Sequence, residues 1–175
     1  RLNVFEWAER KMAEGKFGYL GFSFHDSYDV FEDILTSYDN WTFCQIQYNY
    51  MDINYQAGQK GLHAAADKGL AVVVMEPLRG GRLAKNPPPS SVAEIFARSH
   101  RDWTPANWAL QWVWNQPEVS LLLSGMSTME QVEQNLVSAG QSSPNSLTPE
   151  DLAVIEQARL AREALAPILR ATRVG

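Results

Sequence analysis

Cysteine is nearly absent from this chain of 175 residues, where Cys44 stands alone. One thiol cannot form an internal disulfide and cannot by itself build a multi-cysteine zinc or iron–sulfur centre, so a reducing cytoplasm is the default compartment. Dense Lys/Arg runs are missing too, and a formal net charge of −5 argues against a nucleic-acid or membrane-surface partner. No apolar stretch approaches a membrane span, and the N-terminal residues show no signal-peptide core. What is present is a 45% share of hydrophobic residues, enough for the core of one ordinary domain or of a piece of a larger one. The chain opens at Arg1 directly in a helical pattern, which we read as the continuation of an upstream segment.

Leu2–Glu14 carries Leu2, Phe5, Trp7, Ala8 and Met12 at helical spacing, with Gly15 as a natural stop. Gly18–His25 then alternates as a strand does: Leu20, Phe22 and Phe24 share one face, and Gly21, Ser23 and His25 make a small, polar other face. Asp26 or Ser27 can cap a helix whose apolar stripe is Val30, Phe31, Ile34, Leu35 and Tyr38. In the strand Trp41–Asn49, Phe43, Gln45, Gln47 and Asn49 lie on one face and Cys44, Ile46 and Tyr48 on the other. Two glutamines in phase on an apolar strand either satisfy backbone groups and buried water or line a cavity and bond a ligand. Ala57–Lys68 reads as a helix stopped by Gly69, and the apolar run Leu70–Met75 as a strand covered on both faces.

Glu76–Gly81 follows, then a long loop that contains Pro87, Pro88 and Pro89 and precedes Thr104, of a length that tends to be functional or mobile. Thr104 and Pro105 open a helix carrying Trp108 and Trp112, a pair better explained by core packing than by a binding box. Val119–Leu123 is a short buried strand that Ser124 and Gly125 break. Ser127 and Thr128 can each cap the next helix, with Glu130 and Gln131 at the respective N3 positions. Such a start offers backbone N–H groups and a positive dipole end to a phosphate, although on this stretch alone an ordinary strand-loop-helix connection is the better reading. Thr148, Pro149, Glu150 and Asp151 open a final helix with Leu152, Ile155 and Arg159.

None of the three histidines is set beside a nucleophile by sequence: His25 borders the polar strand face, His63 sits in an exposed-looking helix and His100 in a polar loop. Asp26 and Asp29 are better explained by helix capping and first-turn charge than as an acid/base dyad. Four strands, each followed by a helix, imply βαβ units and a parallel sheet.

Four stretches in order, GFSFHDS (Gly21–Ser27), QIQYNYMD (Gln45–Asp52), VVVMEPLRGGRLA (Val72–Ala84) and LLSGMSTMEQVEQN (Leu122–Asn135), resemble the aldo-keto reductases, in the branch whose members often carry a cysteine-rich ferredoxin-like tail. The resemblance runs from about Leu2 to Arg162. It implies an α/β fold: four consecutive βα units of a TIM (β/α)8 barrel, strands five to eight, forming a half-barrel with an extra C-terminal helix. Residues 1–175 then form a single partial domain, the C-terminal half of the barrel. The implied parent reaction is NADP(H)-dependent reduction of aldehydes and ketones by hydride transfer. The family's catalytic Asp, Tyr, Lys and His belong to the absent first half, so the chain alone is expected to be inactive, and a carbonyl substrate is expected only when that half is supplied.

The resemblance also assigns the cofactor contacts. Ser23 and Gln45 stand where the family bonds the nicotinamide carboxamide, and Met75 where many members place an aromatic ring under the nicotinamide. Pro77, Leu78 and Gly81 fall in the loop that covers the pyrophosphate. Gly125, Met126, Ser127 and Gln131 match the turn that holds the adenosine 2′-phosphate, and Gln134 and Asn135 match residues that meet the adenine. Where many relatives grip that phosphate with a Lys and an Arg, this chain has Gly125 and Gln131, so NAD(H) stands beside NADP(H) as a cofactor. Phe24 replaces the Asn that usually follows the nicotinamide-binding Ser, and the cysteine-rich tail is not in this sequence. The alternative is a non-catalytic half-barrel that binds nucleotide or self-associates through open sheet edges.

Overall fold

A computed structural model describes residues 3–171, with side chains described through residue 165; Leu2, placed above in the first helical stripe, lies outside the described residues. Four parallel strands, β1 (Gly21–Ser23), β2 (Phe43–Gln47), β3 (Ala71–Met75) and β4 (Val119–Leu122), form one sheet in the order β1-β2-β3-β4. They alternate along the chain with helices α1 (Val4–Ala13), α2 (Tyr28–Thr36), α3 (Gly58–Asp67), α4 (Ser90–Ala97), α5 (Pro105–Trp114), α6 (Met129–Gly140) and α7 (Pro149–Ala171). This is the expected run of βα units with a further helix at the end. The chain divides into two compact units.

The first unit holds the whole sheet and α1 to α3. Alternation along β2 and β3 buries Cys44, Ile46, Val72 and Val74 completely, on the face that α3 covers, and leaves Gln45, Val73 and Met75 half-exposed. Within this unit the expectation that β3 is covered on both faces is corrected, since α3 packs on one face and the other is half-exposed. Phe31 of α2 is fully buried against Phe24 and Phe22 at ring distances of 5.1 and 5.6 Å, whereas Val30, counted in the same stripe, is exposed. Close approach of α3 to α2 depends on Gly61, whose Cβ would come within 2.6 Å of the Ala57 methyl and 3.3 Å of the Phe31 ring. The reading of Val119–Leu123 as buried is also corrected. β4 is an edge strand paired only with β3, and Leu121 and Leu123 are exposed. Its register slips by one residue between Val72 and Val73, and the extra residue, Ser120, takes the Val72 N–H on its hydroxyl at 3.2 Å.

The second unit is helical. Thr104 caps α5 by accepting from the Asn107 N–H at 3.2 Å, and Pro105 follows at N1 as the sequence indicates. Trp108 is completely buried, stacked on Phe96 at 5.5 Å with its edge toward Trp103 at 4.8 Å, so its role is packing. Phe96 belongs to α4, a helix within the stretch read above as loop. Its signal is the spacing of Val92, Ile95 and Phe96, which the preceding prolines mask. α7 begins with a capping box: Asp151 donates its N–H to the Thr148 hydroxyl, and the Asp151 carboxylate accepts from the Thr148 N–H at 3.1 Å.

Candidate functional site

In a parallel sheet the C-terminal ends of all strands lie along one rim; Ser23 ends β1 and Met75 ends β3 there, and Gln45 stands one pleat earlier, at the middle of β2. Ser23, exposed at the end of β1, is the register partner of Gln45 on β2. Gln45, half-buried, donates from Nε2 to the Met75 Sδ on β3 at 3.3 Å. A thioether is a weak acceptor, so this amide keeps most of its hydrogen-bonding capacity for another partner. Gln47 differs: it donates to the Asp52 carboxylate at 3.3 Å. The two alternatives left open for the glutamines thus divide, with Gln47 satisfied by a side chain of its own unit and Gln45 only weakly engaged. Two nearby ionisable groups are unsuited to proton transfer near neutrality, since burial pushes the Cys44 thiol and the Tyr48 phenol up to about 12, the latter aided by Glu118. His25 is exposed, His63 faces Glu118 at 3.7 Å, and His100 faces Asp151 at 3.6 Å.

In the second unit, residues 76–84 form a compact turn. Glu76, Arg79, Gly80 and Gly81 all have positive φ, and the Arg79 N–H donates to the Glu76 carbonyl at 3.0 Å. Gly81, at φ 79°, occupies a conformation that a side chain would strain. Pro77 is buried, Leu78 half-buried and Gly81 exposed. Asn49, placed by phase beside Gln45 and Gln47, lies past the end of β2. It is completely buried, donates to the Glu76 carbonyl at 3.1 Å and accepts from the Met51 N–H at 3.0 Å. It holds the entry to the turn, a role that its phase on the strand did not signal.

The turn before α6 resolves the choice of cap in favour of Thr128, which accepts from the Gln131 N–H at 3.3 Å. Gln131 reaches back to accept from the Ser127 N–H at 2.9 Å and the Ser127 hydroxyl at 3.3 Å. Gly125, Met126, Ser127 and Gln131 are exposed, as is Gln134, whose amide donates to Glu130 at 3.0 Å. Asn135 is half-buried and donates to the Ser124 hydroxyl at 3.0 Å. The start of α6 therefore combines an N-terminal dipole with hydroxyl and amide groups, but it carries an acid, Glu130, in its first turn. Among the described residues no three His, Cys, Asp or Glu side chains come together to hold a metal, and no helix is long and apolar enough to cross a membrane.

A sequence model of the aldo/keto reductase family matches residues 2–159. The chain belongs to that family. Among solved structures, the holo form of aldo-keto reductase AKR11C1 from Bacillus halodurans superposes with a TM-score of 0.69 at 22% identity, over 87% of this chain and 54% of that one. An aldo-keto reductase from Klebsiella pneumoniae in complex with NADPH gives a TM-score of 0.64 at 24% identity, over 87% of this chain and 52% of that one. At these identities the likeness establishes the fold. No curated protein matches the chain significantly. This aldo/keto reductase chain spans about half the length of the solved relatives it matches, as a run of four βα units from a (β/α)8 barrel does.

Proposed function

We propose that this chain is the cofactor-binding, C-terminal half of an oxidoreductase that reduces aldehydes or ketones with a nicotinamide dinucleotide. The observation that carries the reading is the set Ser23, Gln45 and Met75 on adjacent strands, with Ser23 in register with Gln45 and the Gln45 amide engaged by the Met75 thioether. Those residues fit a carboxamide, which needs one donor and one acceptor partner, and the Met75 thioether offers a polarisable surface to a ring. The family's nucleotide supplies a hydride when bound; the residues of this chain hold its carboxamide, diphosphate and adenosine ends and contribute no proton donor.

Pro77, Leu78 and Gly81 would meet the diphosphate. Gly125, Met126, Ser127 and Gln131 would meet the adenosine phosphate, and Gln134 and Asn135 the adenine. The absence of Lys and Arg from residues 124–135 favours comparable use of NADP(H) and NAD(H). The test is titration of NADPH and NADH into the pure chain, followed by energy transfer from its tryptophans. Binding of both, weakened equally by Gln45→Ala or Ser23→Ala with unfolding temperature unchanged, supports the reading; failure of either nucleotide to bind at millimolar concentration overturns it. Measured alone with NADPH and a reactive aldehyde, the chain should show negligible turnover. A second reading, self-association, rests on edge strand β4 with its exposed Leu121 and Leu123; a monomeric sedimentation profile at all concentrations removes it.

A further inference from the structure

Two arginines on α7 have opposite surroundings. Arg159 is satisfied by its own helix, with Nε and Nη2 on Glu156 at 2.7 and 2.6 Å and Nη1 on Glu163 at 2.6 Å. Arg162, less than a turn further on, has no carboxylate partner among the described residues. Its Nη1 reaches the Arg82 carbonyl at 3.4 Å, the outer limit for a hydrogen bond, while its Nε and Nη2 are closed to solvent and meet no acceptor. The Tyr50 hydroxyl, in a residue only 1% exposed, lies against this guanidinium and interacts with it, but completes no well-formed hydrogen bond.

Desolvated donors without acceptors are rare in folded proteins, and a desolvated cation without a counter-charge is costlier still. The two idle N–H groups, Nε and Nη2, form the side-on edge by which arginine grips an oxyanion with two parallel hydrogen bonds. The Tyr50 hydroxyl supplies a third donor of the same kind. Arg82, whose carbonyl the arginine meets, lies in the turn at residues 76–84. That turn is where the proposed function puts the diphosphate, and the present inference rests on that reading for the identity of the anion.

We infer that the Nε–Nη2 edge of Arg162, together with the Tyr50 hydroxyl, is an oxyanion site that takes the diphosphate bridge of the dinucleotide. The counter-charge for the cofactor is thereby shifted from the start of α6, which has no cation, to α7. Arg162 as a whole is half-exposed, so its flexible stem can open the Nε–Nη2 edge to an anion without leaving Tyr50.

The test compares wild type, Arg162→Met, Arg162→Lys and Tyr50→Phe by thermal unfolding with and without NADPH, NADH or sodium pyrophosphate, and by nucleotide binding at several salt concentrations. Without added anion, Arg162→Met should unfold at the same temperature as wild type or higher, because an uncompensated charge is removed. It should bind NADPH and NADH about tenfold more weakly, by the same factor, and lose the anion-induced rise in unfolding temperature. The salt dependence of its binding should also be shallower. Arg162→Lys should recover part of the affinity, and Tyr50→Phe should lose less than Arg162→Met. A fall in unfolding temperature without anion assigns Arg162 a structural role and overturns the inference. So does a Gln45-dependent nucleotide affinity that Arg162→Met leaves unchanged. Protection by pyrophosphate in a chain that binds neither nucleotide overturns the cofactor reading instead, together with the diphosphate assignment, and leaves a plain oxyanion site.

Discussion

Supplying cations at the start of α6, by Gly125→Lys together with Gln131→Arg, should make the proposed nucleotide site select NADPH over NADH. Residues 124–135 contain no Lys or Arg, and Glu130 adds a negative charge in the first helical turn. Both positions accept the change. A Cβ on Gly125 meets nothing within 4 Å and its φ is not positive, and Gln131 is exposed. The Thr128 cap survives, since it uses the Gln131 backbone N–H, while the side-chain bond to the Ser127 N–H at 2.9 Å is lost. That loss costs about 0.5–1.5 kcal/mol and falls on both nucleotides alike. A charge-assisted bond to a phosphate is worth about 1.5–3 kcal/mol when enclosed, and roughly half of that on an open turn. Two such bonds total about 1.5–3 kcal/mol, a shift of roughly 10- to 150-fold in the ratio of NADH to NADPH dissociation constants. Tryptophan-to-nicotinamide energy transfer measures both constants, and the gain should shrink as salt rises. An unchanged ratio would refute the placement of the 2′-phosphate at this turn. A wild-type chain that already prefers NADPH by more than about tenfold would refute the claim that the turn's lack of cations sets the preference.

Asp151 is fully buried and accepts from Arg101 Nε at 3.1 Å, Arg101 Nη2 at 2.7 Å and the Thr148 N–H at 3.1 Å, so Asp151→Asn should cost about 2–4 kcal/mol in urea unfolding. Burial raises its carboxyl, but the hydrogen bonds from Arg101 and Thr148 outweigh it and hold the pKa below the ordinary value. The stabilisation is therefore present above about pH 4 and lost as pH falls through the depressed folded value, and the Asn variant should show a flatter acid limb. Phe31→Ala should cost about 3–5 kcal/mol, because Phe31 is completely buried under Gly61, Phe22 and Phe24; a loss below about 1 kcal/mol would contradict that packing. Thr104→Ala should destabilise by about 1 kcal/mol and Thr104→Gly by less, as loss of the α5 cap requires.

The features legible in the sequence are those set by neighbours in the chain. The alternation that exposes Ser23 and Gln45 and buries Cys44 and Ile46 follows from the period of an extended strand. The starts of α5 and α7 follow from Thr-Pro and Thr-Pro-Glu-Asp, whose caps close within a few residues. α4 went unseen because eight residues behind a proline run give too little periodicity to outweigh the breakers. The burial assigned to β4 was wrong because an apolar edge strand and an apolar central strand read alike, and only pairing distinguishes them.

By itself, then, the sequence determined four βα units, their polar strand faces and a helix start at Ser127 or Thr128, since each is decided by residues within a turn or a pleat of one another. The tertiary structure decided which polar groups are committed. Gln45 meets Met75 30 residues away, Asn49 meets Glu76 27 residues away, and Arg162 meets the Arg82 carbonyl 80 residues away. Whether a buried donor finds an acceptor depends on segments that fold together across such separations, and no local pattern carries that information.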